Sequence, residues 1–461
     1  MFLSFRQYWV LLLSVFLLAA CVDSNNGGVT GQGSIRGLHA IPDLGAATFL
    51  IEDTSLGLIS FKEVSGISSF DDLEYDFRYE ILLPDDDIDN PTELIERTLK
   101  VDSEREYTFV LAGSLESPSM FLWEQFGRDW QDELDDAEDN DTEVTVMEVS
   151  FGHVTNELGE VDLYLEAPGT SPLSATPAAT LGYSEFQEAT ELVADSYQLV
   201  ITPRNEPETI LFASDAFVLS AATSTLITLI DDGGFSTSPF TVRITGTSLG
   251  SELVDINATA VTSAVHAAFG TDAIDVFDGN DFSSALIPGL SFSQRTADIE
   301  VDDGELPLIV TPAGNQGVFL SQGNYNFAAG SFNRFYFLGL PGELQTIVRQ
   351  YDRATLATHA RVQLVQASVR FQTIDVYLVE SDVDISLIDP TFSRVLYGSG
   401  FDYIIREPED YLLVLTEPGT KNIIGGPIEI QLDASRNYSI VIVDQPDITA
   451  VDAIIYDETD G

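Results

Sequence analysis

Three of the four histidines in this 461-residue chain occupy one position of a recurring pattern. His39 is followed nine residues later by Thr48, His153 by Asp162 and His266 by Asp275, and a fourth segment offers Gln366 and Asp375. An imidazole can ligate a metal or carry a proton. A zinc site, however, needs about four ligands, and each of these rings belongs to its own repeat. Nine residues is the spacing of two facing strands joined by a turn, which would let the ring hydrogen-bond the carboxylate. Gln366–Asp375 and His39–Thr48 each keep one donor and one acceptor, so both can preserve that bond. The pattern predicts a structural strut in each repeat. His359 lies outside the register and is assigned no role.

The loop Asp85-Asp86-Asp87-Ile88-Asp89-Asn90 has oxygen ligands at the spacing of a calcium loop. Asp85, Asp87, Asp89 and Glu96 fall at its positions 1, 3, 5 and 12, and Asn90 stands where glycine is usual. Asn tolerates the left-handed backbone required there. Position 8 is Thr92 where an apolar residue is normal, so calcium and a hydrated acidic hairpin both stay open. Gly246-Thr247-Ser248-Leu249-Gly250 has the letters of a nucleophile elbow, but the following stretch reads as strand rather than the required helix. No catalytic residue is assigned.

Charge narrows the partners. Twenty Lys+Arg against 75 Asp+Glu leave a formal net charge of −55, which repels nucleic acid and anionic headgroups. This acidity fits either a saline setting or dependence on divalent ions. A single cysteine excludes internal disulfides.

That cysteine follows an address. Arg6 supplies a basic start, Tyr8 to Leu17 an apolar stretch too short to span a bilayer, and Leu18-Ala19-Ala20-Cys21 small residues before the thiol. The segment resembles the lipobox of bacterial lipoproteins. The resemblance implies cleavage before Cys21, lipidation of Cys21 and anchoring in the cell envelope. Asp23, two residues on, leans toward the outer membrane. Residues 21–34 read as a flexible tether.

The elements that would position these residues recur four times. Leu199-Val200-Ile201-Thr202-Pro203 matches Leu308-Ile309-Val310-Thr311-Pro312, and Tyr107-Thr108-Phe109-Val110-Leu111 matches Tyr438-Ser439-Ile440-Val441-Ile442. Units near 100 residues with short alternating strands are the size of a β-sandwich, too long for a solenoid repeat. The expected division is signal 1–20, tether 21–34 and sandwiches over 35–116, 144–250, 251–350 and 351–461. A linker over 117–143 is expected to hold a short helix carrying Phe121, Trp123, Phe126 and Trp130, then an acidic run.

The His-Ala…Asp-Val-Tyr-Leu opening, the Thr-Pro hairpin and the closing Tyr strand resemble the domain of unknown function 4397, a family of tandem repeats in extracytoplasmic bacterial proteins. Copy 1 departs from the pattern with Thr48 and copy 4 with Gln366. The resemblance implies an all-β fold of tandem immunoglobulin- or transthyretin-like sandwiches and no established activity. Function is expected to be that of a non-enzymatic, lipid-anchored scaffold for adhesion or binding, with an envelope protein or glycan as partner. The alternatives are a carbohydrate- or polymer-binding lipoprotein using Tyr325, Phe332, Phe335 and Tyr336, and a hydrolase with an unrecognised carboxylate site.

Overall fold

The computed structural model describes residues 31–83, 86, 90–156, 158–246, 251–381 and 383–459. Nearly all of its regular secondary structure is strand, as expected. Copy 1 contains eight strands: β1 (Gln32–His39), β2 (Ala47–Ile51), β3 (Thr54–Ile59), β4 (Ser68–Asp71), β5 (Glu74–Ile81), β6 (Thr92–Lys100), β7 (Arg105–Ser114) and β8 (Ser117–Phe126). They form a first sheet ordered β4-β1-β7-β8 and a second ordered β3-β2-β5-β6. Every pairing is antiparallel except β1 with β7. Immunoglobulin constant domains use a different order, ABED facing CFG. Copies 3 and 4 repeat both sheet orders. Copy 2 keeps the central strands, with short additions at the edges.

The linker expected over 117–143 is corrected. Residues Ser117–Phe126 pair with β7 along their whole length, completing copy 1. Phe121 and Trp123 share a face at strand spacing rather than at helical spacing. Helix α1 begins only at Trp130 and runs to Asp139, capped by Asp129, whose carboxylate accepts from the Gln131 and Asp132 amides. The other boundaries move less: Ser251–Leu253 closes a sheet of copy 2, and Glu343–Tyr351 belongs to copy 3.

Each sandwich has its own apolar core. In copy 1, Phe49, Phe77, Tyr79 and Phe109 are fully buried between the sheets, with Phe77 and Phe109 centroids 4.1 Å apart. The Tyr79 hydroxyl donates to the Phe109 carbonyl at 2.7 Å, so even the polar tip of that ring is satisfied.

The first sheets are apolar on their outer faces too, and this pairs the copies. Leu38, Ala40, Val110, Ala112 and Trp123 of copy 1 form one buried cluster with Val154, Leu226 and Ile230 of copy 2. Val265, Ala267, Tyr336 and Leu338 of copy 3 do the same with Val365, Ala367, Val441 and Val443 of copy 4. The strand positions are equivalent in both cases, so copies 1–2 and 3–4 are two pairs of sandwiches set back to back. At the centre of the first junction, Gly152 leaves room for an indole: a Cβ there would lie 2.4 Å from the Trp123 ring.

One hairpin loop of copy 2 reaches both its own partner and the second pair, and the pairs also meet where the Ala357 amide of copy 4 donates to Asp43 of copy 1 at 2.8 Å. Asp232 accepts from Lys62 of copy 1 at 2.8 Å, and Phe235 stacks on Phe61 at 5.4 Å. Gly234 accepts from the Arg353 amide at 2.8 Å, between copies 3 and 4, and the Thr237 amide donates to Gly330 of copy 3 at 3.0 Å.

Overpacking a tight junction costs about 1–3 kcal/mol. Gly152→Ala should therefore lower stability by that amount in urea denaturation. The same substitution should red-shift the Trp123 emission, because the rings of copies 1 and 2 must move apart.

Candidate functional site

The predicted struts exist, but their partners are backbone groups. His39 Nε2 lies 2.8 Å from the Gly45 carbonyl, and its Nδ1 accepts from the Ile41 amide at 3.2 Å. His153 makes the same two contacts with Gly159 and Thr155, at 3.2 and 3.3 Å. His266 repeats them with Asp272 and Ala268, also at 3.2 and 3.3 Å. The geometry assigns the proton to Nε2, which donates to a carbonyl, and leaves Nδ1 as acceptor. Gln366 reproduces the pattern without a ring: Nε2 donates to the Phe371 carbonyl at 2.6 Å and Oε1 accepts from Ser368 at 2.7 Å. Each side chain closes the turn between the first two strands of its copy. The expected bond to the residue nine positions on is not formed, since turn carbonyls and amides lie nearer and already take both nitrogens.

The aspartates close a different pair of turns. Asp275 accepts from Gly289 at 2.7 Å and Gly314 at 2.8 Å, and Asp375 from Arg394 at 2.6 Å and Gly419 at 2.7 Å. Asp162 accepts from the Thr180 hydroxyl at 2.6 Å and the Asn205 amide at 2.8 Å. One oxygen thus holds the edge strand and the other holds the hairpin after the Thr-Pro pair. Residues Asn205, Gly314 and Gly419 have φ of 61°, 71° and 71°, which explains their identity: Gly and Asn adopt that backbone readily. Thr48 is too short for this clip. In copy 1 the equivalent loop is closed by Asp86, which accepts from Leu83 at 2.9 Å and from Thr92 at 3.1 Å.

The calcium pattern finds no loop-to-helix frame. Asp85, Asp87 and Asp89 lie outside the described residues, as do Cys21 and Thr247 to Gly250. Glu96 stands within β6, opposite Arg78. Among the described residues no three His, Cys, Asp or Glu side chains are grouped so as to hold a metal. The Gly246 segment joins two antiparallel strands, Phe240–Thr245 and Ser251–Leu253, so no helix follows it.

The aromatic platform is also corrected. Phe335 and Tyr336 are fully buried, Phe332 is 4% exposed and Tyr325 packs against the core of copy 3. Phe335 and Tyr336 alternate between the two faces of a doubly buried sheet, and Tyr325 is half-buried on an edge strand of the other sheet, so the four rings form no shared platform.

Among the described residues, two clefts of several hundred Å³ are open to solvent. One, of about 480 Å³, lies between copies 2 and 3. Ser236, Thr237 and Ser238 come from the copy 2 hairpin, Asp298 and Glu300 from copy 3, and Arg353 from the segment leading to copy 4. Asp298 accepts from the Tyr351 hydroxyl at 2.7 Å and is ion-paired with Arg353. The other cleft, of about 590 Å³, lies in copy 4 and gathers His359, Glu380, Arg406 and Glu407 around Leu378 and Ile405. Burial lowers the His359 pKa and nearby Glu407 opposes this. The sequence held no signal for either cleft, because each is assembled from segments far apart in the chain.

No family model matches the chain, and no curated protein matches it. Several solved structures resemble parts of it. A family 26 carbohydrate-binding module from Eubacterium rectale, in complex with maltoheptaose, is 16% identical with a TM-score of 0.17, over 44% of this chain and 97% of that one. A streptococcal virulence factor that binds α-glucan is 10% identical with a TM-score of 0.16, over 40% and 92%. The Bacillus anthracis TIE protein is 7% identical with a TM-score of 0.15, over 87% and 68%. Scores this low have no bearing on ligand or activity.

Burial lowers the three strut histidines, His39 to about 4 against an ordinary 6.5, and the bond to Gly45 only partly offsets it. The native state keeps His39 neutral, while the unfolded chain takes up a proton below about pH 6.5. Its contribution is therefore complete above pH 6.5 and is lost as pH falls toward 4, by about 3 kcal/mol in all. His39→Gln should keep neutral-pH stability within about 1 kcal/mol, as Gln366 does in copy 4, and flatten that decline. His39→Ala should cost about 2–3 kcal/mol at neutral pH, because both backbone partners are left unpaired. Urea denaturation between pH 4 and 8 reads all three.

Proposed function

We propose that the chain is a non-enzymatic, lipid-anchored protein of the bacterial cell envelope that holds binding surfaces on a rigid arm of four sandwiches. The observation that carries this reading is the use made of the repeated polar side chains. His39, His153, His266 and Gln366 each close a turn with both polar atoms, and Asp162, Asp275 and Asp375 do likewise with both oxygens. A neutral ring with both nitrogens engaged is available neither to a metal nor for proton transfer. The repeated chemistry therefore supports architecture, and a scaffold is what repeated architecture provides.

The anchor rests on the segment ending at Cys21, and the outer membrane on Asp23. Several acyl chains on one residue give stable attachment where a single chain is marginal. The recurrent Thr-Pro hairpin and closing Tyr strand support membership of the domain of unknown function 4397 family for the four copies. The acidic surface disfavours nucleic acid and supports an uncharged or cationic partner.

Expression of the full chain in a bacterial host with labelled palmitate tests the anchor. Label and membrane fractionation are expected for the natural sequence, and loss of both for Cys21→Ser. An untargeted hydrolase screen on the delipidated chain is expected to find no turnover. Turnover abolished by one carboxylate substitution would replace the scaffold with an enzyme.

A further inference from the structure

We infer that the cleft between copies 2 and 3 is a binding site for a neutral, polyhydroxylated ligand of one to three sugar units. The inference deepens the binding half of the proposed function and rests on that reading. Its volume, about 480 Å³, falls in the range of small-molecule sites, which favour junctions between domains.

The lining determines the ligand class. Ser236, Thr237 and Ser238 line the cleft from copy 2, and Asp298, Glu300 and Arg353 add two carboxylates and a guanidinium to its lining. Ser238 Oγ is buried and has no hydrogen-bond partner among the described residues. Glu300 is exposed to the cleft. Asp298 is held in place by Tyr351 at 2.7 Å and by Arg353, which fixes the acid before any ligand arrives and lowers the entropy lost on binding. Arg353 keeps further N–H groups in its planar fork. Carboxylates accept from ligand hydroxyls and the guanidinium donates to ligand oxygens, as the adjacent hydroxyls of a sugar require.

Other classes fit less well. An anion would meet Asp298 and Glu300 within a chain of net charge −55. A compact cation would meet Arg353 already paired with Asp298. An apolar ligand would have Pro239, Val261 and Phe332 to rest on, and the guanidinium of Arg353 stands 5.1 Å from the Phe332 centroid. That placement also means recognition is through hydrogen bonds rather than through stacking on an aromatic face.

The hairpin supplying the hydroxyls is fixed to copy 3 through Thr237, whose amide donates to Gly330 at 3.0 Å and whose hydroxyl donates to Thr259 at 2.7 Å. The site therefore exists only while copies 2 and 3 are held together, and neither copy contains it alone.

Calorimetric titration of the delipidated chain tests the assignment, with maltotriose, xylotriose and chitotriose as neutral probes and trigalacturonate as the anionic one. Saturable binding of at least one neutral probe is expected, weakened about tenfold or more by Glu300→Gln and by Arg353→Gln. Glu305→Gln, on the second sheet of copy 3, should bind as the natural chain does. Melting by circular dichroism confirms that each variant is folded. Absence of binding by all three neutral probes, tighter binding of trigalacturonate, or unchanged affinity in both cleft variants would overturn the assignment while leaving the anchored scaffold intact. Cleavage of a probe would instead overturn the non-enzymatic reading.

Discussion

A sheet that is apolar on both faces cannot end at water, and this constraint organises the molecule. In β7 the inward residues Phe109 and Leu111 fill the core of copy 1 while the outward Val110 and Ala112 belong to the junction with copy 2. The corresponding strand of copy 4 divides the same way, Ile440 and Ile442 inward and Val441 and Val443 outward. Burial of such surface contributes roughly 25 cal/mol per Å², so an isolated copy would present its most favourable contact to solvent. Pairing back to back removes that liability twice, and four copies are the smallest number that gives two such pairs.

Polar groups then fix how the pairs sit. The chain has only 20 cationic side chains, and several stand at junctions. Lys62 joins Asp232 and Glu252 across the first pair, at 2.8 and 2.9 Å, and Arg243 reaches Glu63 at 3.1 Å. In the second pair Glu458 receives both Arg295 and Arg334 and is 2% exposed. Removing one member of a buried pair leaves an uncompensated charge, so these contacts set register more than they add stability. On a surface so acidic, cations placed here also keep the carboxylates of neighbouring copies from repelling one another.

The repeat, the all-strand class and the sandwich size were legible because they depend on local periodicity and on spacing within one copy. The strut was legible as a role and misread as a pair, since a side chain in a turn meets amides two residues on and carbonyls five or six residues on before it meets the next strand. The helix expected around Trp123 failed for a related reason. Two aromatics two residues apart satisfy a strand as well as they satisfy a loose helical face, and ten residues of pairing with β7 outweigh helix propensity. The pairing of copies was present in the sequence as near-continuous apolar runs, Phe335-Tyr336-Phe337-Leu338 and Ile440-Val441-Ile442-Val443, which mark a sheet buried on both faces. The clefts had no such trace, because their walls come from segments far apart in the chain.

Thiol accessibility tests the back-to-back arrangement most directly. Val110→Cys and Val441→Cys, each introduced into the delipidated chain carrying Cys21→Ser, place a thiol on the outer face of a first sheet. Both should resist a maleimide reagent in native buffer and react only as the protein unfolds in denaturant. Labelling at the rate of an exposed cysteine in native buffer would show that the copies hang separately along the chain.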